Sequence, residues 1–157
     1  MLYFAYGSNM DPRQIRRRCP SSRFESIALL PNHELVFTLR SRRRRCGVAN
    51  VIPKPDKSVL GVLYRINGSH DWKVLDLAEG FRPDRKRANR YIKTMCHVQK
   101  LEGYPAEVRA FIYIGVIEKS PPPPSRAYLN QMIAGVDLWG FPESYKQSLE
   151  RLIGNHI

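Results

Sequence analysis

The chain has 157 residues, with 26 Lys+Arg against 14 Asp+Glu and a formal net charge of +12. That length suits one domain spanning residues 1–157, and 43% hydrophobic with 10% aromatic residues supplies a core, which excludes a disordered chain. No run approaches the roughly 20 apolar residues of a membrane span, and the start, Met1-Leu2-Tyr3-Phe4, lacks the basic lead and long apolar stretch of a signal peptide.

In chain order, Leu2 to Tyr6 reads as a short strand stopped by Gly7-Ser8-Asn9. Asp11-Pro12 then supplies an N-cap and first helical position for a helix to about Arg18. Strands are expected at Phe24–Leu30 and Glu34–Leu39, separated by Pro31-Asn32, and at Val48–Ile52 and Val59–Ile66, separated by Pro53-Lys54-Pro55-Asp56. Ser69 is placed to cap a helix from His70 to Glu79, closed by Gly80. Two more strands follow, Arg90–Val98 and Val108–Ile114, and Pro121–Pro124 must be extended. Helices at Ser125–Ala134, ended by Gly135, and at Ser144–Ile153 finish the chain. Strands outnumber helices and do not alternate with them regularly, which predicts an α+β fold with a mainly antiparallel or mixed sheet.

The positive charge is concentrated. Residues 1–50 hold ten arginines and three acids, and Arg82–Lys93 holds six bases and one acid; these two stretches account for the whole excess. A polyanion footprint and a merely solvated basic surface both fit such runs. No aromatic residue interleaves Arg42-Arg43-Arg44-Arg45 to stack a base, so the solvated reading leads. Cys19, Cys46 and Cys96 are odd in number and form no CxxC pair, which disfavours a disulfide scaffold or structural zinc and points to a reducing, cytoplasmic setting. The four histidines fall in no metal-ligand spacing, so no metal site is expected.

Two segments are candidates for chemistry. Tyr6-Gly7-Ser8-Asn9-Met10-Asp11-Pro12 is a strand–turn–helix start whose N–H groups converge as an anion-binding concavity, although an ordinary capped turn reads the same way. In Leu75-Asp76-Leu77-Ala78-Glu79-Gly80, a glycine at C′ puts Glu79 in the last helical turn, where the macrodipole disfavours negative charge. Spacing puts Glu79 on the apolar stripe with Trp72 and Leu75, and Asp76 is a like-charged neighbour. All three effects raise a carboxyl pKa toward the range useful for proton transfer, against the plainer alternative of a surface glutamate paired with an arginine.

Tyr3-Phe4-Ala5-Tyr6-Gly7-Ser8-Asn9-Met10 together with Leu75-Asp76-Leu77-Ala78-Glu79-Gly80 resembles the γ-glutamylcyclotransferase family, with its YGSN loop and LDxxEG segment. Leu60–Tyr64, the proline-rich stretch leading to Tyr128, and Gly135–Leu149 extend the similarity nearly end to end. The resemblance implies a small mixed, mainly antiparallel β-barrel with flanking helices and a pocket at one mouth. It implies an enzyme without cofactor that turns a small γ-glutamyl substrate into 5-oxoproline and a free amine. Glu79 would be the general base and acid; Tyr6, Gly7, Ser8, Asn9 and Met10 would bind substrate, with Tyr91 and Tyr128 lining the pocket. The basic segment after Gly80 is longer than in compact family members and bears on the leaving group. The other reading is a basic binding module on the same fold that contacts nucleic acid or a protein. Nucleic acid is the less expected partner, and oligomeric state is not legible.

Overall fold

In the computed structural model, which describes residues 1–85 and 89–154, two long strands dominate. Lys86, Arg87 and Ala88 of the basic segment, and His156, lie outside the described residues. β1 (Leu2–Ala5), β2 (Arg23–Ser41), β3 (Cys46–Arg65), β4 (Tyr91–Lys100) and β5 (Glu107–Gly115) close a barrel in the order β1-β3-β2-β4-β5. Every pairing is antiparallel except β1 with β5, where Tyr3 meets Phe111 in parallel. The fold is therefore α+β with a mixed, mainly antiparallel barrel, as expected.

The sequence reading split β2 at Pro31-Asn32 and β3 at Pro53–Asp56; both strands instead run through. Pro31 pairs with Ser58 and His33 with Pro53, so residues 54–57 bulge out opposite Asn32. Asn32 and Asp56 take positive φ, 55° and 62°, which these short polar side chains tolerate. Proline is admitted at such a bulge, where no ladder N–H is needed. The consequence is a hairpin that continues past the barrel and carries the arginine run at its tip.

Four helices flank the barrel: α1 (Pro12–Arg18), α2 (Ser69–Ala78), α3 (Arg126–Trp139) and α4 (Glu143–Gly154). Asp11 caps α1 by accepting the Arg13 N–H at 2.9 Å. The expected Ser69 cap is absent: Gly68 is the N-cap and no side chain bonds there. Gly135 does not end α3, which runs on to Gly140 in the left-handed conformation at φ 69°. Gly135 serves packing instead, because a Cβ there would lie 2.6 Å from the Met10 carbonyl. The helix thus seats directly on the turn after β1. Among the described residues, no helix is long and apolar enough to cross a membrane.

Candidate active site

Glu79 is held by the way α2 stops. Phe81 N–H bonds to Asp76 O at 2.8 Å and Gly80 N–H to Leu77 O at 3.0 Å, the paired closure of a Schellman motif. Gly80 sits at φ 69°, where a side chain is strained, and Glu79 becomes the C-cap residue. Its side chain is 16% exposed and faces back toward the end of β1.

There the chain leaves β1 through Tyr6-Gly7 and makes one 3₁₀ turn, Ser8–Met10. Gly7 is required by closeness, since a Cβ would meet the Tyr128 hydroxyl at 3.0 Å and Ala49 Cβ at 3.2 Å. Asn9 is buried, and all its side-chain polar atoms are engaged. Its Nδ2 donates to Glu79 Oε1 and to the Tyr3 hydroxyl, each at 2.9 Å. Its Oδ1 accepts from Gln14 Nε2 and Arg18 Nη1, each at 2.8 Å. A guanidinium can only donate, so Arg18 fixes which end of the amide is oxygen and aims the NH₂ at Glu79.

Arg18 Nη1 also reaches Glu79 Oε1 at 3.4 Å. Both donors therefore converge on one carboxylate oxygen, while Oε2 accepts no hydrogen bond among the described residues. Burial raises the Glu79 pKa above the ordinary carboxylate range, and Arg18, the Asn9 bond and Arg44 only partly offset it. The expected contribution of Asp76 is corrected here: that carboxylate pairs with Lys93 Nζ at 2.9 Å and accepts the Tyr113 hydroxyl, and it is not among the causes of the shift.

These groups open on a cavity of about 280 Å³, a volume that fits a small molecule. Tyr6, Gly7, Ser8, Asn9, Tyr91 and Tyr128 all line it together with Glu79. Met10 does not: its side chain is fully buried, its N–H bonds to Gly7 O, and its carbonyl accepts from Trp139 Nε1 at 2.9 Å and the Tyr64 hydroxyl at 3.2 Å. Met10, expected to bind substrate, is thus set behind the cavity wall, where it braces the turn.

Tyr128 comes from the first turn of α3, where Ser125 Oγ caps its N–H at 3.2 Å. The Tyr128 hydroxyl accepts Ala49 N–H at 3.0 Å. Burial pushes its pKa up to about 12, so the hydroxyl keeps its proton. Tyr6 donates to Tyr113 O at 2.5 Å, and burial likewise raises Tyr6 and Tyr91.

Three contributors escaped the sequence reading. Arg18 is one of three consecutive arginines at the end of α1, and only the helix phase selects it. Gln14 links the turn to the hairpin: its Nε2 donates to Ser8 Oγ and Asn9 Oδ1, and its Oε1 accepts Arg44 Nη2 at 2.8 Å. Arg44 also lies over the Tyr128 ring, 5.1 Å from its centroid. The run expected to be a solvated loop therefore sits at the cavity, with Arg40, Arg42, Arg43 and Arg44 in its wall. From the second basic stretch, Arg90 lines the cavity, while Lys93 turns onto Trp72, 4.4 Å from its ring centroid. Among the described residues, no group of three or more His, Cys, Asp or Glu is placed to hold a metal ion.

The comparisons with known proteins agree with this architecture. The family model described as "Gamma-glutamyl cyclotransferase, AIG2-like" matches residues 3–130. A Mus musculus protein named gamma-glutamylcyclotransferase is 30% identical over 158 aligned residues, covering 98% of this chain and 79% of its own. Its Homo sapiens counterpart of the same name is 29% identical with the same coverage. A solved structure titled "Gamma-glutamyl cyclotransferase" superposes with a TM-score of 0.83 at 28% identity, over 96% of this chain and 86% of that one. The chain belongs to the gamma-glutamyl cyclotransferase, AIG2-like family.

Proposed function

We propose that this chain is a γ-glutamylcyclotransferase that releases 5-oxoproline and a free amine or amino acid from a small γ-glutamyl substrate. The observation that carries the mechanism is the asymmetry of Glu79: Oε1 is held by Asn9 and Arg18, and Oε2 is left to exchange a proton.

Glu79 Oε2 takes a proton from the substrate α-ammonium. The freed amine attacks its own γ-carbonyl carbon, and a five-membered ring closes. The reaction is intramolecular, so holding the γ-glutamyl chain folded supplies much of the rate. Collapse of the tetrahedral intermediate breaks the bond from the γ-carbon to the leaving nitrogen. Two protons in all pass from the α-nitrogen to the leaving nitrogen, which departs as an ammonium, and Glu79 returns to carboxylate. A raised pKa suits a group that must both accept and return the proton near neutrality.

The remaining residues have distinct tasks on this reading. The Tyr128 O–H donates to the developing oxyanion or to the substrate carboxylate, next to the backbone of the Gly7–Ser8 turn. Tyr6 and Tyr91 close the cavity as apolar walls and limit water around Glu79. Asn9 is a positioning residue, because it acts through Glu79. The alternative of a basic module for nucleic acid or a protein has less support, since the Arg42–Arg44 run turns into a small cavity. A cytoplasmic setting, expected from the cysteine pattern, belongs to the same proposal.

The test is direct: the purified protein is incubated with γ-glutamyl amino acids and γ-glutamyl amines, and 5-oxoproline is quantified. Release from at least one class is expected. Absence of 5-oxoproline across the whole panel overturns the proposal.

A further inference from the structure

The hairpin tip is fixed over the cavity. Arg44 is tied to Gln14 and stacked on Tyr128, Arg45 N–H bonds to Ser41 O at 2.7 Å, and Gly47 N–H bonds to Pro123 O at 2.9 Å. Gly47 admits that last contact, because a Cβ there would lie 2.1 Å from the Pro122 carbonyl oxygen. The result is a wall with six arginines, 18, 40, 42, 43, 44 and 90, around a single carboxylate, Glu79.

Two of these are already paired, Arg18 with Glu79 and Arg90 with Glu118 at 2.9 Å. Among the described residues, Arg40, Arg42, Arg43 and Arg44 form no ion pair. Burial and the neighbouring Arg43 and Arg18 disfavour the charge on Arg44, while the Tyr128 beside it offsets them in part. Like charges gathered along one cavity wall, with no acid of their own, are complementary to an anion that arrives with the ligand.

Counting charge on the substrate narrows that anion. A γ-glutamyl group contributes one α-carboxylate and one α-ammonium, which cancel. A leaving amino acid with a neutral side chain adds only one negative charge. Four unpaired guanidiniums beyond Glu79 exceed that demand, and guanidinium forks match carboxylates in bidentate fashion. We infer that the leaving group is a dicarboxylic amino acid, whose side-chain carboxylate is received by Arg42 and Arg43 of the hairpin tip. This rests on the γ-glutamylcyclotransferase reading above. The hairpin tip is thus the selector of the leaving group.

The experiment compares γ-glutamyl-glutamate with its near-isosteric neutral partner γ-glutamyl-glutamine, with γ-glutamyl-alanine as a third substrate, by 5-oxoproline release. Wild type at low salt should favour γ-glutamyl-glutamate over γ-glutamyl-glutamine by about tenfold in kcat/KM, the ratio that one charge-assisted contact supplies. The difference should lie mainly in KM and shrink in high salt. Both arginines are exposed at a turn, so the double variant R42Q/R43Q is expected to fold, as a melting curve checks. In that variant the two substrates should become equivalent. Equal kcat/KM in wild type, or a preference that survives unchanged in R42Q/R43Q, overturns this inference while leaving the cyclotransferase reading in place. Absence of 5-oxoproline from all three substrates overturns both.

Discussion

The Asn9 side-chain amide donates to Glu79 Oε1 at 2.9 Å, joining the turn after the first strand to the end of a helix 70 positions away. The bond does more than hold two elements together. Asn9 is itself oriented by Arg18 and Gln14, so the lone pairs of Glu79 that remain available are determined two contacts away from the carboxylate.

The acid limb of the pH profile reports this arrangement. On the proposed mechanism Glu79 must be ionised to act as base, so kcat/KM should rise with pH through its raised pKa. Arg18 and the Asn9 bond both hold that pKa down from where burial alone would set it. R18Q and N9A should therefore move the acid limb to higher pH, as read from full pH profiles of each variant. A shift to lower pH in either contradicts the assigned geometry.

Stability should carry the opposite mark of the same carboxylate. Its pKa is raised on folding, so the native chain binds more protons than the unfolded one between the ordinary carboxyl value and the raised one. Any penalty is absent below that window and grows as pH rises through it, by about 1.4 kcal/mol for each unit of difference. E79Q removes the titration. Its melting temperature relative to wild type is predicted to increase from acid to neutral pH and then level off; a gap independent of pH speaks against a raised Glu79.

On the proposed mechanism Tyr128 has a chemical role beside its structural one, and Y128F separates them. Losing the acceptor for Ala49 N–H should lower stability by about 1–3 kcal/mol in denaturant titrations. Losing the donor to the oxyanion should lower kcat by about 10²–10³-fold. Unchanged kcat with reduced stability would leave Tyr128 as a brace only.

Gly135 reports on the support behind the turn. G135A places a methyl 2.6 Å from the Met10 carbonyl, and overpacking of this kind costs about 1–3 kcal/mol. Equilibrium unfolding measures the loss, and kcat should fall with it because Met10 adjoins Asn9. Wild-type stability in G135A rules out the close seat of α3 on the turn.

How much of this was readable beforehand depended on the range of the interaction. The placement of Glu79 at a helix end before a C′ glycine was legible in the Leu75–Gly80 stretch, and its proposed role came from the family resemblance. The reason for its raised pKa was only half legible: burial follows from helix phase, but Asp76 turned away to Lys93 and Tyr113, partners on β4 and β5. Gly135 looked like a helix stop because sequence shows its flexibility and hides the Met10 backbone pressing on it. The placement of Arg42–Arg45 was not legible at all. It depends on two proline-bearing apparent breaks being absorbed as a bulge, so that β2 and β3 extend past the barrel and return the turn to Gln14 and Tyr128.

The central claim is that Glu79 carries the proton, and the most direct measurement is 5-oxoproline release by purified E79Q beside wild type, on the best γ-glutamyl substrate of the panel. Glutamine keeps the size of the side chain and can still accept the Asn9 bond through its carbonyl oxygen, so circular dichroism and melting should show a folded protein. The account predicts that kcat falls by about 10²–10⁴-fold, the range a positioned acid–base group supplies. A folded E79Q that turns over within a few fold of wild type contradicts it.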